Sequence, residues 1–194
     1  GTFRSMPEFD DVEGFPRPCD HLKRFDLKQW AGHLFTALEP AFPLDGVFQA
    51  MEERVGFLPL GDFQHAPGRD RTFEVAGHWA LYCDNFLEGF HIPFVHPDLN
   101  AAVDYDQYTT VLFDHCNLQI AHARGQEDAF ALPEGHPEHG QAIAAFYFWV
   151  FPNLMFNFYP WGLSVNLVEP LAKDRTRVHF RSYVLDSAKL GQGA

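Results

Sequence analysis

The sequence predicts an α+β domain: a curved antiparallel β-sheet with helices on one face and a pocket between the two layers. Two observations carry this reading. From Ala144 onward the chain reads as successive strands joined by short, turn-rich connections, which implies an antiparallel meander. Upstream, Trp79, Tyr82, Cys83, Phe86 and Phe90 recur at helical spacing and share one apolar stripe at about 100° per residue. The size agrees, since 194 residues with 46% apolar and 21% charged side chains can bury one good core. The 21 phenylalanines suit a large aromatic core or cavity.

Taken in order, residues 1–26 are turn-rich, with Pro7, Gly14, Pro16 and Pro18. Residues 29–38 read as a strand, and Pro40 to Pro43 as a linker. Residues 45–54 form a short amphipathic helix with Val47, Phe48 and Met51 on one side. Residues 55–77 are turns and a strand around Phe73 to Ala76, with Gly77 preceding the aromatic helix. Pro97-Asp98-Leu99-Asn100 breaks structure, and 101–108 reads as irregular.

Residues 109–113 are β-rich, and Cys116, Leu118, Ile120 and His122 alternate with Asn117, Gln119 and Ala121. Residues 125–141 form a polar loop in which His136 and His139 are expected to face solvent. Ala144 to Phe151 is a near-continuous apolar strand, followed by strands at 154–159, 163–169 and 176–185. The alternation assigns Leu163, Val165, Leu167, Val178, Phe180 and Val184 to one face. It assigns Ser164, Asn166, Arg177, His179 and Arg181 to the other.

The chemistry concentrates in Asp84 to Pro97. Asp84, Glu88 and His91 fall together on a helix face away from Trp79. His96 does not continue that row, since five residues leave it about 140° from His91. Pro93 disfavours an α conformation at Ile92, so the helix should end or bulge at residues 91–93. A wide or π-like turn there would bring His96 beside His91. Two imidazoles beside a carboxylate make a divalent-metal site, and open positions suit non-haem Fe(II) and dioxygen. A structural zinc site using Cys83 is the weaker alternative, because Cys83 lies on the apolar face.

Asn85-Phe86-Leu87-Glu88-Gly89-Phe90-His91, with His96-Pro97 following, resembles the mononuclear iron motif of Rieske-type non-haem iron ring-hydroxylating oxygenases. The motif belongs to the catalytic domain of their large (alpha) subunit. The resemblance implies a helix-grip, START-like catalytic domain with His91 and His96 as Fe(II) ligands. It implies that Glu88 is the catalytic bridge to a Rieske-cluster histidine of a neighbouring subunit, hence a homotrimer. With dioxygen as oxidant, a small apolar organic substrate would be hydroxylated, dihydroxylated or dealkylated, with electrons from NAD(P)H through a separate reductase or ferredoxin. The form of the motif is closer to the branch that includes choline- and carnitine-type monooxygenases, where an aromatic cage for a quaternary ammonium group is conceivable. Asn85, Phe148, Met155, Asn157 and Tyr159 are the candidate substrate-pocket residues, with Asn85 also able to orient a ligand.

The same resemblance covers almost the whole chain. Trp30, Gly32 and Phe35 match the strand after the cluster loops of a Rieske domain. Residues 1–39 are therefore expected to be a remnant of that domain without its [2Fe–2S] ligands, and 40–194 the mononuclear iron domain, truncated before its last helix. Cys19 and His21 look like half a cluster site, but no Cys-x-x-His follows, so they read as a loop coincidence. The family's third ligand is an aspartate on a later helix. Asp104, Asp106, Asp114 and Asp186 are stand-ins by number only. The formal charge of −12 argues against nucleic acid or anionic lipid as partner. Three scattered cysteines and no long apolar run suit a cytoplasmic protein. The alternative function is a non-catalytic START-like module that holds a hydrophobic ligand.

Overall fold

The computed structural model describes residues 1–125 and 129–185. The chain divides into two compact units, Gly1–Leu44 and Asp45–Ala194. In the first, the stretch expected to be a single strand is a hairpin of β1 (Leu27–Trp30) and β2 (His33–Thr36). Ala31 and Gly32 form the turn between them with φ of 48° and 77°. Two consecutive positive φ values are the signature of the tight turn that matches strand twist, and glycine adopts them without penalty. His21 does not face a partner cysteine; its Nδ1 accepts the Phe3 N–H at 3.1 Å.

The second unit begins with α1 (Asp45–Val55), then β3 (Gln64–His65), β4 (Arg71–Val75) and α2 (Trp79–Leu87). After α3 (Ile92–Val95) and α4 (Pro97–Ala102) come β5 (Val103–Phe113), β6 (Cys116–Ala123), β7 (Ile143–Val150), β8 (Leu154–Tyr159), β9 (Gly162–Ala172) and β10 (Arg175–Val184). The last six strands pair antiparallel in chain order, β5 to β10, and β3 and β4 both add to the outer edge of β10.

Paired residues share a face, so the register fixes two rows. Leu118, Phe148, Phe156 and Val165 line up across β6 to β9, beside Ile120, Phe146, Phe158 and Leu163. These phenylalanines are fully buried and form the core of one face. The loop before β7 packs there, with His136 against Phe146 at 5.7 Å and against Phe57 at 5.3 Å. His136 is therefore buried, not solvent-facing, and its Nε2 lies 2.8 Å from the Arg54 carbonyl at the end of α1. Beside it, Glu138 forms an ion pair with the Arg54 guanidinium at 3.4 Å.

The opposite face carries Gln119, Tyr147, Asn157 and Ser164 in one row, and Trp149, Met155, Asn166 and Phe180 in the next. Here α2 sets Cys83, with Trp79, Tyr82 and Phe86 around it, on Met155, Val168 and Val178. Ile92 of α3 and Leu99 of α4 pack with Phe86 on Ala121, Ala145 and Tyr147. The α+β architecture and antiparallel sheet follow the sequence expectation.

Three further local expectations do not hold. Val178 and Phe180 pair with Val168 and Asn166, so they share a face with Asn166 and not with Leu163 and Val165. The irregularity at Arg175/Thr176 inserts one residue and inverts the parity between β9 and β10. Pro97 opens α4 and does not break structure, since a helix's first residue needs no N–H partner. Residues 103–108 already belong to β5, with a register shift between Asp104 and Thr109 that left no period-2 pattern to read.

Candidate metal centre and cavity

The aromatic stripe builds α2, and His78 caps its start by accepting the Ala80 N–H at 3.3 Å. The helix ends at Leu87, earlier than the 91–93 boundary expected from Pro93. Glu88 is already extended, with φ −115° and ψ 151°. Two groups fix this end. Gln119 of β6, almost fully buried, donates from Nε2 to the Phe86 carbonyl at 2.8 Å, and its Oε1 accepts from the Tyr108 hydroxyl at 2.9 Å. Gly89 then passes so close to the Tyr108 ring that an added Cβ would lie 3.3 Å from it. Glu88 and His91 are therefore in a turn and not in a helical row with Asp84, which is exposed.

Glu88 folds back onto His91. Its Oε2 accepts the His91 backbone N–H at 3.3 Å, and its Oε1 lies 2.5 Å from His91 Nδ1. A carboxylate only accepts, so Nδ1 carries the proton and the lone pair stands on Nε2. Asn85 Nδ2 lies 3.4 Å from that nitrogen, on its lone-pair side. Asn85 thus sits at the unprotonated nitrogen and not behind the ring.

The short helix α3 carries the chain from His91 to His96, and their ring centroids are 5.1 Å apart at 74°. Two imidazoles sharing one ion through nitrogens about 2.1 Å from it, at roughly 90–105°, would have centroids about 4.5–5 Å apart. With each centroid about 3.2–3.3 Å from such an ion, the upper end of that angular range reaches the observed separation. A carboxylate behind a metal-ligating histidine is the usual arrangement for fixing its tautomer.

Among the described residues, no third ligand joins them: no group of three or more His, Cys, Asp or Glu is placed to hold a metal. Asp104 is engaged with Asp106 N–H and Gln107 Nε2, Asp114 lies in the β5–β6 turn, and neither these nor Asp106 lines the cavity. Asp186 lies outside the described residues. Cys83 is buried in the α2 packing and its Sγ approaches the Pro152 carbonyl at 3.6 Å, so the zinc alternative has no cysteine at hand.

The histidines open onto a cavity of about 380 Å³ between the helices and the sheet. Of the residues expected to line it, Asn85, Asn157 and Tyr159 do. Phe148 and Met155 do not. Phe148 points into the core of the other face, and Met155, although on the cavity face, is covered by α2. The wall also contains Tyr82, Tyr108, Tyr147 and Asn166, which the sequence reading missed. Tyr147 was hidden inside an unbroken apolar strand, where only strand register tells one face from the other. Burial raises the phenols of Tyr108 and Tyr147 well above their ordinary range and raises that of Tyr159 as well, so they stay protonated. The Tyr147 and Tyr159 rings meet edge to face, with centroids 5.8 Å apart.

The family model for the ring hydroxylating alpha subunit (catalytic domain) matches residues 64–190, about two thirds of the chain. The chain belongs to this family. Within it, the chain is 32% identical over 120 residues to the chloroplastic choline monooxygenase of Arabidopsis thaliana, covering 60% of this chain and 26% of the relative. It is 28% identical over 198 residues to the carnitine monooxygenase oxygenase subunit of Acinetobacter baumannii, covering 91% and 50%. The chain thus spans half or less of the length of these curated relatives. Among solved structures, a quaternary ammonium Rieske monooxygenase superposes with TM-score 0.69 at 22% identity, covering 93% of this chain and 48% of that one. Naphthalene 1,2-dioxygenase from Rhodococcus sp. superposes with TM-score 0.64 at 18% identity, covering 96% and 51%. At these identities the superpositions speak for the fold of this ring-hydroxylating domain.

Proposed function

We propose that this chain is the oxygen-activating part of a Rieske-type non-haem iron oxygenase that acts on a small amine-bearing organic substrate. The observation that supports it most is the convergence of the His91 and His96 rings at the mouth of an aromatic cavity, with Glu88 fixing the His91 tautomer.

His91 and His96 would hold the iron, through Nε2 in the case of His91. When bound, the iron supplies the activation of dioxygen, which no side chain can provide. The chain's own residues do the rest. Glu88 keeps the proton on His91 Nδ1 and offers a route by which electrons from a Rieske cluster on a neighbouring subunit, fed by NAD(P)H through a reductase, could arrive. That role implies a trimer. Tyr82, Tyr108, Tyr147 and Tyr159 in the wall supply aromatic rings on which a cation could rest, an attraction worth about 0.5–2 kcal/mol per well-placed ring. Such walls favour a quaternary or protonated amine, the substrate class in the names of the choline and carnitine monooxygenase relatives. The non-catalytic module gains no support from the paired histidines.

Anaerobic calorimetric titration with Fe(II) tests the proposal. The wild-type chain should bind about one ion, and His91→Ala and His96→Ala should each abolish the signal. Unchanged isotherms in both variants would remove the metal from this site.

A further inference from the structure

Four side-chain amides stand in the cavity wall, those of Asn85, Gln119, Asn157 and Asn166. Three of them have their nitrogens engaged. Gln119 Nε2 donates to the Phe86 carbonyl at 2.8 Å, Asn157 Nδ2 donates to the Ser164 carbonyl at 3.3 Å, and Asn85 Nδ2 faces His91 Nε2 at 3.4 Å. Asn166 differs. It is 6% exposed, on β9, paired with Met155 of β8 and Phe180 of β10. The Ser164 hydroxyl donates to its Oδ1 at 2.9 Å, which turns the other end of the amide away from Ser164. Its Nδ2 has no hydrogen-bond partner among the described residues and is not sealed off from the cavity. An amide nitrogen can only donate, whereas the phenol hydroxyls of the wall can donate or accept. Asn166 is therefore the group that gives this wall a polarity.

We propose that Asn166 is a specificity residue: it donates a hydrogen bond from Nδ2 to an oxygen acceptor on the substrate, so that the cavity prefers amines carrying an ether, carbonyl or hydroxyl oxygen over alkyl amines of the same shape. Water can serve the amide before substrate enters. A substrate that displaces this water must bring an acceptor of its own or leave a nine-tenths buried donor unpaired, which is unfavourable. The aromatic rings of the wall cannot make this distinction, because they attract the cationic end of either amine alike. The preference deepens the oxygenase reading and rests on it only in taking this cavity as the place of the substrate.

Choline methyl ether and n-butyltrimethylammonium provide the test, since they differ only by an ether oxygen in place of a methylene. Both are titrated calorimetrically into the full chain, with Fe(II) binding measured separately on the same preparation. The wild-type chain should bind the ether at least as tightly as the butyl cation, although the methylene is the more apolar group. Asn166→Leu should shift the ratio of the two affinities about tenfold toward the butyl cation. Ser164→Ala, which frees Oδ1 and lets the amide turn, should shift it the same way by about threefold. A merely structural role for Asn166 would weaken both cations alike and leave the ratio where it was. Circular dichroism checks folding, and the wild-type ranking with Ser164→Ala decides the matter if Asn166→Leu does not fold. A butyl cation bound more tightly by the wild type, a ratio that neither variant moves by more than about twofold, or no binding of either cation overturns the inference. Iron binding that survives any of these results leaves the oxygenase reading standing, and iron binding that fails while the preference holds removes that reading alone.

Discussion

Replacing Gln119 with Met tests how the turn after α2 is held. Methionine nearly conserves volume, so no cavity term should dominate. The change strands two half-buried partners: the Phe86 carbonyl, bonded at 2.8 Å, and the Tyr108 hydroxyl, bonded at 2.9 Å. Each stranded group costs about 1–3 kcal/mol, and part is recovered where water reaches the helix end. The expected loss is therefore about 2–4 kcal/mol, a large share of a typical domain stability of about 5–15 kcal/mol. For a chain of this size that lowers Tm by roughly 5–15 °C. Tyr108→Phe strands only Gln119 Oε1 and should cost about 1–2 kcal/mol. The double variant should cost less than the sum, because the two singles break one shared bond. Urea unfolding followed by tryptophan fluorescence measures all three. A loss under about 0.5 kcal/mol in Gln119→Met would refute the claim that this amide pins the end of α2.

The remaining predictions concern thiols and surface charge. Cys116 is buried with its thiol pushed up to about 11, chiefly by burial, and burial also raises the thiol of Cys83, whereas Cys19 is exposed. Brief iodoacetamide treatment at pH 8 should therefore label Cys19 alone, as read by peptide mass spectrometry; rapid labelling of Cys116 in the folded protein would contradict the packing of β6. On the outer face, Glu169 is held below the ordinary carboxyl range, first by its hydrogen bond from His179 at 3.0 Å and then by Arg177. A depressed acid favours the folded state above its unfolded pKa and loses that contribution as pH falls through its folded value. Carbon-detected NMR titration should show Glu169 moving up toward the ordinary range in His179→Ala; an unmoved midpoint would assign the effect elsewhere.

Much of the architecture was readable from residue pattern because strand alternation and aromatic spacing are local signals. β8, β9 and β10 begin and end within a few residues of their expected limits, and α1 follows from Val47 and Met51. What failed depended on contacts distant in sequence. The end of α2 is set by Gln119 and Tyr108, more than twenty residues downstream, and not by the nearby Pro93. The face of Phe148 was lost for a different reason: an apolar run such as Ala144 to Val150 carries no parity, so Phe148 and Tyr147 could not be told apart. The convergence of His91 and His96 was expected from a wide turn and is achieved instead by a break at Glu88 followed by the separate helix α3.

The central claim is that these two rings grip one ion. Crystals of the full chain grown anaerobically with Fe(II), measured at the iron absorption edge, test it most directly. The account predicts one anomalous peak about 2.1 Å from an imidazole nitrogen of each histidine. A peak elsewhere, or none in crystals of a chain that binds iron in solution, would contradict it.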